Sequence, residues 1–368
     1  MKPGIQSGLM VALMIVASGG VFVRTAQASC GAITCFVVIG SQQQVPQQGL
    51  LAVNLFYGYT PMRLQSGTSG VIPAIDQEER RLILDHHRET KTLTQSATLD
   101  LNYGITDRLG IEVMLPYLSR THKHFDGLGE DGPMGEGENV DFSANGLGDL
   151  RIIGKYNILP TLRSTLITGL GVELPTGKHN TLDAAGRVME APTQLGRGQV
   201  GLIGSVYHTY QIIPQRLSEF AYASYRHTFR NNDGYQFGDE YLLNVGLNLV
   251  TVPWLVLTSQ FNYRYQVHDN ISANLEQSKP SPTATPGDPD IIDSTIKNRR
   301  VPNTGSTWLA FTPGFQLNFD GLGVDLLKNT QVYFFAQIPI ARDANNNLVQ
   351  DTSFTFGLTQ YFQLGGAS

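Results

Sequence analysis

Five of the eight histidines fall in expected outer loops. They are His86 and His87, His122 and His124, and His179, with Asp85, Glu89 and Asp126 beside the first four. Imidazole and carboxylate together suit zinc, copper or nickel, so His86, His87, His122 and His124 form one candidate metal site. His122 and His124 are two residues apart and share a face if a strand reaches that far. The plainer reading is that all five are solvated histidines of outer loops. The only two cysteines, Cys30 and Cys35 in SCGAITC, form a second candidate. In an exported chain such a pair closes a small disulfide loop, or else two nearby thiolates hold copper(I) or zinc. The spacing is not CxxCH, so covalent haem attachment is unsupported.

A third set is spread along the chain: Asp100, Glu112, Asp149, Arg151, Lys155, Glu173, Arg226 and Arg264. Each stands on the polar side of an alternating stretch. Two chemistries suit such a row, a charged constriction that selects solutes or a paired network that fills a narrow interior. Catalysis has no support, because GxSxG, HExxH and a phosphate loop are all missing. His208, His227 and His268 have serines near them, but no spacing singles out a triad. No enzyme activity and no cofactor are expected.

The stretch Glu240–His268 shows what must position these residues. Tyr241, Leu243, Val245, Leu247 and Leu249 alternate with Asn244, Gly246 and Asn248. After Val252-Pro253, the residues Leu255, Leu257, Phe261, Tyr263, Tyr265 and Val267 alternate with Thr258, Gln260, Asn262, Arg264, Gln266 and His268. A period of two is the mark of a strand, and two such runs joined by a tight turn make a hairpin. Both are about twice the usual five or six residues, the length that crosses a membrane as a tilted strand. Charged residues are only 15%, yet mean hydropathy is −0.12. Alternation explains both, since apolar and polar positions cancel in any window average.

Residues 1–28 read as a signal peptide: Lys2, an apolar core at Leu9–Val23, and Ala26-Gln27-Ala28 for cleavage. Its loss removes Lys2 and Arg24 and takes the net charge from −5 to −7, a balance that disfavours nucleic acid. Residues 29–48 follow as a periplasmic lead-in with the cysteine pair, and 49–368 as one barrel domain.

Twelve alternating segments are expected: Leu50–Tyr59, Leu93–Tyr103, Leu109–Leu118, Leu147–Ile158, Ser164–Leu174, Gly198–Tyr210, Glu219–Arg230, the two arms of the hairpin above, Thr307–Phe319, Thr330–Arg342 and Thr352–Leu364. The connections between them alternate. Residues 60–90, 119–145, 175–196 and the proline-rich 269–305 are long and polar; those between are short. An even strand number with alternately long and short links marks an all-β, antiparallel up-and-down transmembrane barrel, with periplasmic turns and outer loops. Lipid forbids open sheet edges, so the sheet must close. Tyr57, Tyr59, Tyr103, Tyr117, Trp254 and Trp308 stand near strand ends, where interfacial girdles belong. Gly146, Gly148 and Asp149 open a strand and read as a bend, with Asp149 alternatively facing solute. Pro175, Thr176 and Gly177 read as a turn.

The segments GLGDLRIIGKYNI (Gly146–Ile158) and GVELPTGKHN (Gly171–Asn180) resemble the outer-membrane proteins named after the meta-pathway of phenol degradation. The resemblance implies a Gram-negative outer-membrane barrel acting as a channel or transporter, with aromatic or poorly soluble small molecules as its solutes. The partners expected are outer-membrane lipid, a small-molecule solute and the barrel-assembly machinery; nothing in the chain sets an oligomeric state. The alternative is a non-conducting barrel that binds copper or zinc through its outer loops or serves a structural role.

Overall fold

A computed structural model describes residues 40–76, 81–126, 139–182, 189–232, 234–271, 275–279, 291–296, 299–301 and 303–364. Cys30, Cys35 and residues 1–28 lie outside them. Twelve long strands form the wall: β1 (Leu50–Leu64), β2 (Arg81–Gly104), β3 (Leu109–Asp126), β4 in two pieces (Asn139–Leu147 and Leu150–Asn157), β5 (Ser164–Leu174), β6 (Gly201–Ile213), β7 (Leu217–Thr228), β8 (Glu240–Val252), β9 (Leu255–Gln266), β10 (Ser306–Asn318), β11 (Thr330–Asp343) and β12 (Ser353–Gln363). Each pairs antiparallel with the next, and β1 closes the ring on β12 from Leu50↔Gln363 to Tyr59↔Phe354. Closure leaves no edge within the ring for lipid to face, as a spanning sheet requires.

Alternation sorts the residues as expected. Leu55, Leu99, Leu243, Val245, Leu257, Phe261, Phe356 and Leu358 are exposed, while their neighbours Asn54, Asp100, Asn244, Thr258, Gln260, Asn262, Thr355 and Thr359 are buried. An exposed apolar band running round a closed ring is far beyond the few hundred Å² a water-soluble monomer shows; it is a lipid face. Its outer margin is marked by Tyr57 and Tyr117, whose hydroxyls point up to Gln95 (2.6 Å) and Asn145 (3.5 Å).

Several expectations are corrected. Residues 60–90 and 119–145 are not simply loops. β2 and β3 run far past the lipid band, Val71–Asp76 pairs back on β2, and Asn139–Leu147 pairs with β3 up to Phe125↔Asn139. The barrel is therefore tallest over β1–β4. Within 269–305, the described residues form short strands: Asn270–Ile271, Leu275–Lys279, Ile291–Ile296 and Arg299–Arg300. Trp308 does not belong to an outer girdle. It is buried and faces inward, with the Arg264 guanidinium 5.8 Å from its ring centre.

β4 is broken at Gly148-Asp149. Pro116 opposite has no N–H to give, so the ladder is replaced there by Gly148 N–H donating to Pro116 O (2.8 Å). Thr176 bridges the break, accepting from Leu150 N–H and donating to Gly148 O (2.9 and 2.8 Å). Among the described strands the outer piece of β4 pairs only with β3, because β5 ends at Leu174.

Leu99 sits opposite Leu55 and Leu115, midway up the lipid face. Leu99→Arg is expected to destabilise the barrel by about 2–4 kcal/mol. Urea unfolding in lipid vesicles measures it, and an unchanged midpoint would mean this face does not meet hydrocarbon.

Candidate functional site

The interior is filled rather than open, and its residues fall into tiers. At the periplasmic end the lead-in turns into the barrel. A short helical turn, Gly40–Gln43, precedes an extended run to Gln48. Asn102 donates to the main-chain oxygens of Gln42 (3.1 Å) and Gln44 (2.8 Å), and the Lys155 ammonium also donates to Gln42 O. Val45 packs against the buried cluster of Ile167, Tyr207 and Phe220. Gly104 lies so close that a Cβ there would collide with the carbonyl oxygens of Pro46 and Gln47. From Gly40 on, the segment expected outside the membrane is thus lodged in the barrel mouth.

The next tier divides by side. On one, Glu112 pairs with Lys155 at 3.0 Å, and Asp100 takes a long hydrogen bond from Asn54 (3.4 Å). On the other, uncharged groups interlock: Tyr333 and Thr359 donate to Asn54 (2.8 and 3.2 Å), and Thr312 donates to Asn262 (2.5 Å). Gln260, Asn262, Thr312, Phe335 and Gln337 have no solvent-accessible surface at all. Side chains of the same and neighbouring strands cover them, as Gln260 and Thr312 cover Asn262.

Above this, Glu173 is shared by three guanidiniums. Arg151 stands 2.6 Å from it, Arg226 2.9 Å and Arg197 3.6 Å, while Arg226 also holds Glu240 at 2.9 Å. Arg197 belongs to the connection between β5 and β6, which folds into the barrel. The Asp149 carboxylate accepts the backbone N–H groups of Gly177 (2.9 Å) and Arg197 (2.8 Å) and so clamps both ends of that connection. Asp149 therefore holds a folded-in segment at the strand break. Arg120 fixes the same segment from β3, donating to Pro192 O (3.3 Å) and Gln194 O (2.5 Å).

At the outer mouth lies the histidine cluster. His87, Glu89, His122 and His124 are all buried, with Glu89 at 0% and His87 and His122 at 1% exposure, so the solvated-loop reading is overturned for these histidines. His87 Nε2 is 3.5 Å from one Glu89 oxygen and 3.5 Å from Glu190; His122 Nε2 is 3.5 Å from the other Glu89 oxygen. His122 and His124 share a hydrogen bond at 3.1 Å, and Thr92 Oγ1 meets His122 Nδ1 at 2.8 Å. A β-bulge at Thr90 makes this possible. The register shifts between Glu89 and Lys91, which turns His87 and Glu89 inward where unbroken alternation from Thr92 and Thr94 would send them out. Glu89 lies above the lipid band, level with the exposed outer-face pair Lys123–Asp141 (2.5 Å). Burial there pushes its carboxyl up to about 8.

The eight charged positions read from the sequence thus fall into two groups. Asp100, Glu112 and Lys155 form the lower one; Asp149, Arg151, Glu173 and Arg226 form the upper, with Arg264 set against Trp308. His87, His122 and His124 come together, His179 lies apart with its ring against Gly198, and the His86 side chain lies outside the described residues. The sequence reading missed Glu190, Arg197, Arg120 and Glu240. Parity with Tyr241 marks Glu240 as inward, but nothing periodic marks Glu190 or Arg197.

Removing the shared carboxylate tests the upper tier. Glu173→Gln leaves three guanidiniums facing one another, and a loss of about 3–5 kcal/mol is expected. Urea unfolding reads it directly; an unchanged midpoint would mean that the pairs do not hold the interior together.

A family described as "Putative MetA-pathway of phenol degradation" matches residues 86–279, just over half of the chain. No curated protein sequence matches. Among solved structures, an outer membrane channel from Pseudomonas putida F1 is similar with a TM-score of 0.55 at 12% identity, over 89% of this chain and 100% of that one. The toluene transporter TbuX of Ralstonia pickettii aligns at 9% identity over 87% of this chain and 90% of that one, with a TM-score of 0.41. The Pseudomonas protein shares the fold, a barrel of the Gram-negative outer membrane. With its match across both interior tiers and the histidine cluster, the chain belongs to the MetA-pathway phenol-degradation family.

Proposed function

We propose that this chain is an outer-membrane channel for small, poorly water-soluble solutes, aromatic compounds among them, and that two inward-folded segments control passage. The observation that carries this reading is the way the interior is closed. The wall strands are held by backbone ladders, interrupted at the break in β4, but the lead-in (residues 40–48) and the described residues of the β5–β6 connection are held by side chains and local turns. A hydrogen bond contributes about 0.5–1.5 kcal/mol net. A few of them can be exchanged during transport, whereas opening the ladder would break many at once.

A sealed bore argues against a general pore for hydrophilic solutes. The wall itself offers a second approach. Above Leu174 the outer piece of β4 has one partner among the described strands, and the break at Gly148-Asp149 lies at the height of Tyr117, near the outer margin of the lipid face. Apolar residues gather inside this point: Leu118, Phe142, Ala144, Met189 and Leu195 form a buried cluster. A solute dissolved in the outer leaflet would meet that cluster from the side. The family name supports an aromatic solute.

Uptake by intact cells tests the proposal. Cells making the chain are expected to take up a labelled aromatic hydrocarbon at micromolar concentration several-fold faster than cells lacking it, with no change for a disaccharide. Equal aromatic uptake would overturn it. Gly104→Leu places a side chain where the lead-in lies and is expected to expel it. Such cells should become sensitive to hydrophilic antibiotics, and unchanged resistance would show that the lead-in is not what shuts the periplasmic end.

A further inference from the structure

We infer that the buried histidine–glutamate cluster at the outer mouth is a site for a single divalent transition-metal ion of the zinc class. The ligands are His87, Glu89 and Glu190, with His122 set against the second Glu89 oxygen, and the ion ties the β5–β6 connection to the barrel wall.

Geometry carries the inference. One nitrogen of His87 and one oxygen each of Glu89 and Glu190 lie within 4.8 Å of one another. Zinc bonds to imidazole nitrogen and carboxylate oxygen are about 2.0–2.2 Å, so two ligand atoms on one tetrahedral ion stand about 3.3–3.5 Å apart. His87 Nε2 is 3.5 Å from both Glu89 and Glu190, and His122 Nε2 is 3.5 Å from the second oxygen of Glu89. The two separations from His87 fit ligand edges around one ion and are too long for good hydrogen bonds; His122 Nε2 also meets His124 Nδ1 at 3.1 Å and stands behind Glu89.

The second observation is Glu89 itself. It is fully buried, and neither carboxylate oxygen accepts a hydrogen bond among the described residues. A buried carboxylate lacking hydrogen bonds is costly, and a cation between the rings removes that cost. The supporting shell is also present. Thr92 engages His122 Nδ1 at 2.8 Å and so fixes the ring whose Nε2 stands 3.5 Å from the second Glu89 oxygen. An outer partner behind a ligating carboxylate is a usual device for orienting it.

The ligands come from two places. His87 and Glu89 are on β2, fixed in the wall, whereas Glu190 belongs to the folded-in connection. An ion bound by all three therefore cross-links that connection to the wall, on the same flank that Arg120 holds through Pro192 and Gln194.

Equilibrium dialysis of untagged, chelator-stripped protein in detergent against Zn²⁺ tests the site, with heat-shifted gel mobility as the check of folding. About one zinc per chain is expected, and stoichiometric binding should be lost in the His87→Ala/Glu89→Gln double variant. His122→Ala, which leaves every ligand in place, is expected to weaken binding by about 10–100-fold. Glu190→Gln changes only the folded-in connection and is expected to weaken Zn²⁺ binding at least about tenfold, on the same scale as an outer-shell change. Failure to bind zinc, or binding that persists in the folded double variant, would overturn the site. Wild-type affinity in Glu190→Gln would overturn the cross-link. Neither result depends on whether the barrel carries solutes.

Discussion

A backbone in hydrocarbon can hydrogen-bond only to itself, and the rest of this structure follows from that. Closure of β1 on β12 satisfies it. Once the ring is closed, alternation leaves no choice of direction: one set of side chains meets lipid and the other is sent into a confined interior. Asp100, Glu112, Lys155, Glu173 and Arg226 cannot leave that interior without entering lipid, so they must satisfy one another. The 3.0 Å pair of Glu112 and Lys155 and the three guanidiniums around Glu173 are the result.

The same constraint shapes the closure of the bore. Charged groups concentrate on β2–β8, while β9–β12, apart from Arg264, contribute amides, hydroxyls and aromatic rings such as Tyr333 and Phe335. The charged side is also where chain from outside the ladder enters. Lys155 and Asn102 receive the lead-in from below, and Asp149, Arg120 and Glu173 receive the β5–β6 connection from above. Polar interior groups thus do two tasks, neutralising one another and holding the segments that seal the ends. The break in β4 joins these tasks to the wall, because Asp149 at the break clamps the segment that folds in beside it.

Much of this was legible in the residues where lipid enforces contrast. Ser164–Leu174 and the two arms from Glu240 to Gln266 stand where alternation places them. Above the lipid band that contrast disappears or reverses. In Asn139–Leu147 it is Phe142 and Ala144 that face inward and Asp141, Ser143 and Asn145 that are exposed, so a strand there reads as a polar loop. The bulge at Thr90 adds a change of parity that no periodic pattern reveals, and it decides where His87 and Glu89 point. Trp308 shows the opposite case. Its parity with Leu309 and Phe311 marks it as inward, and the rule that tryptophans line membrane interfaces misdirects. Glu190 and Arg197 act through tertiary contacts alone, and their neighbours in sequence carry no trace of them.

The central claim is that the polar interior of this barrel is packed shut. Current through single molecules of the intact chain in a planar lipid bilayer tests that most directly. The account predicts a trace near the baseline, broken at most by brief, small openings. A steady, large ohmic current, of the size expected for an unobstructed bore of twelve strands, would contradict it.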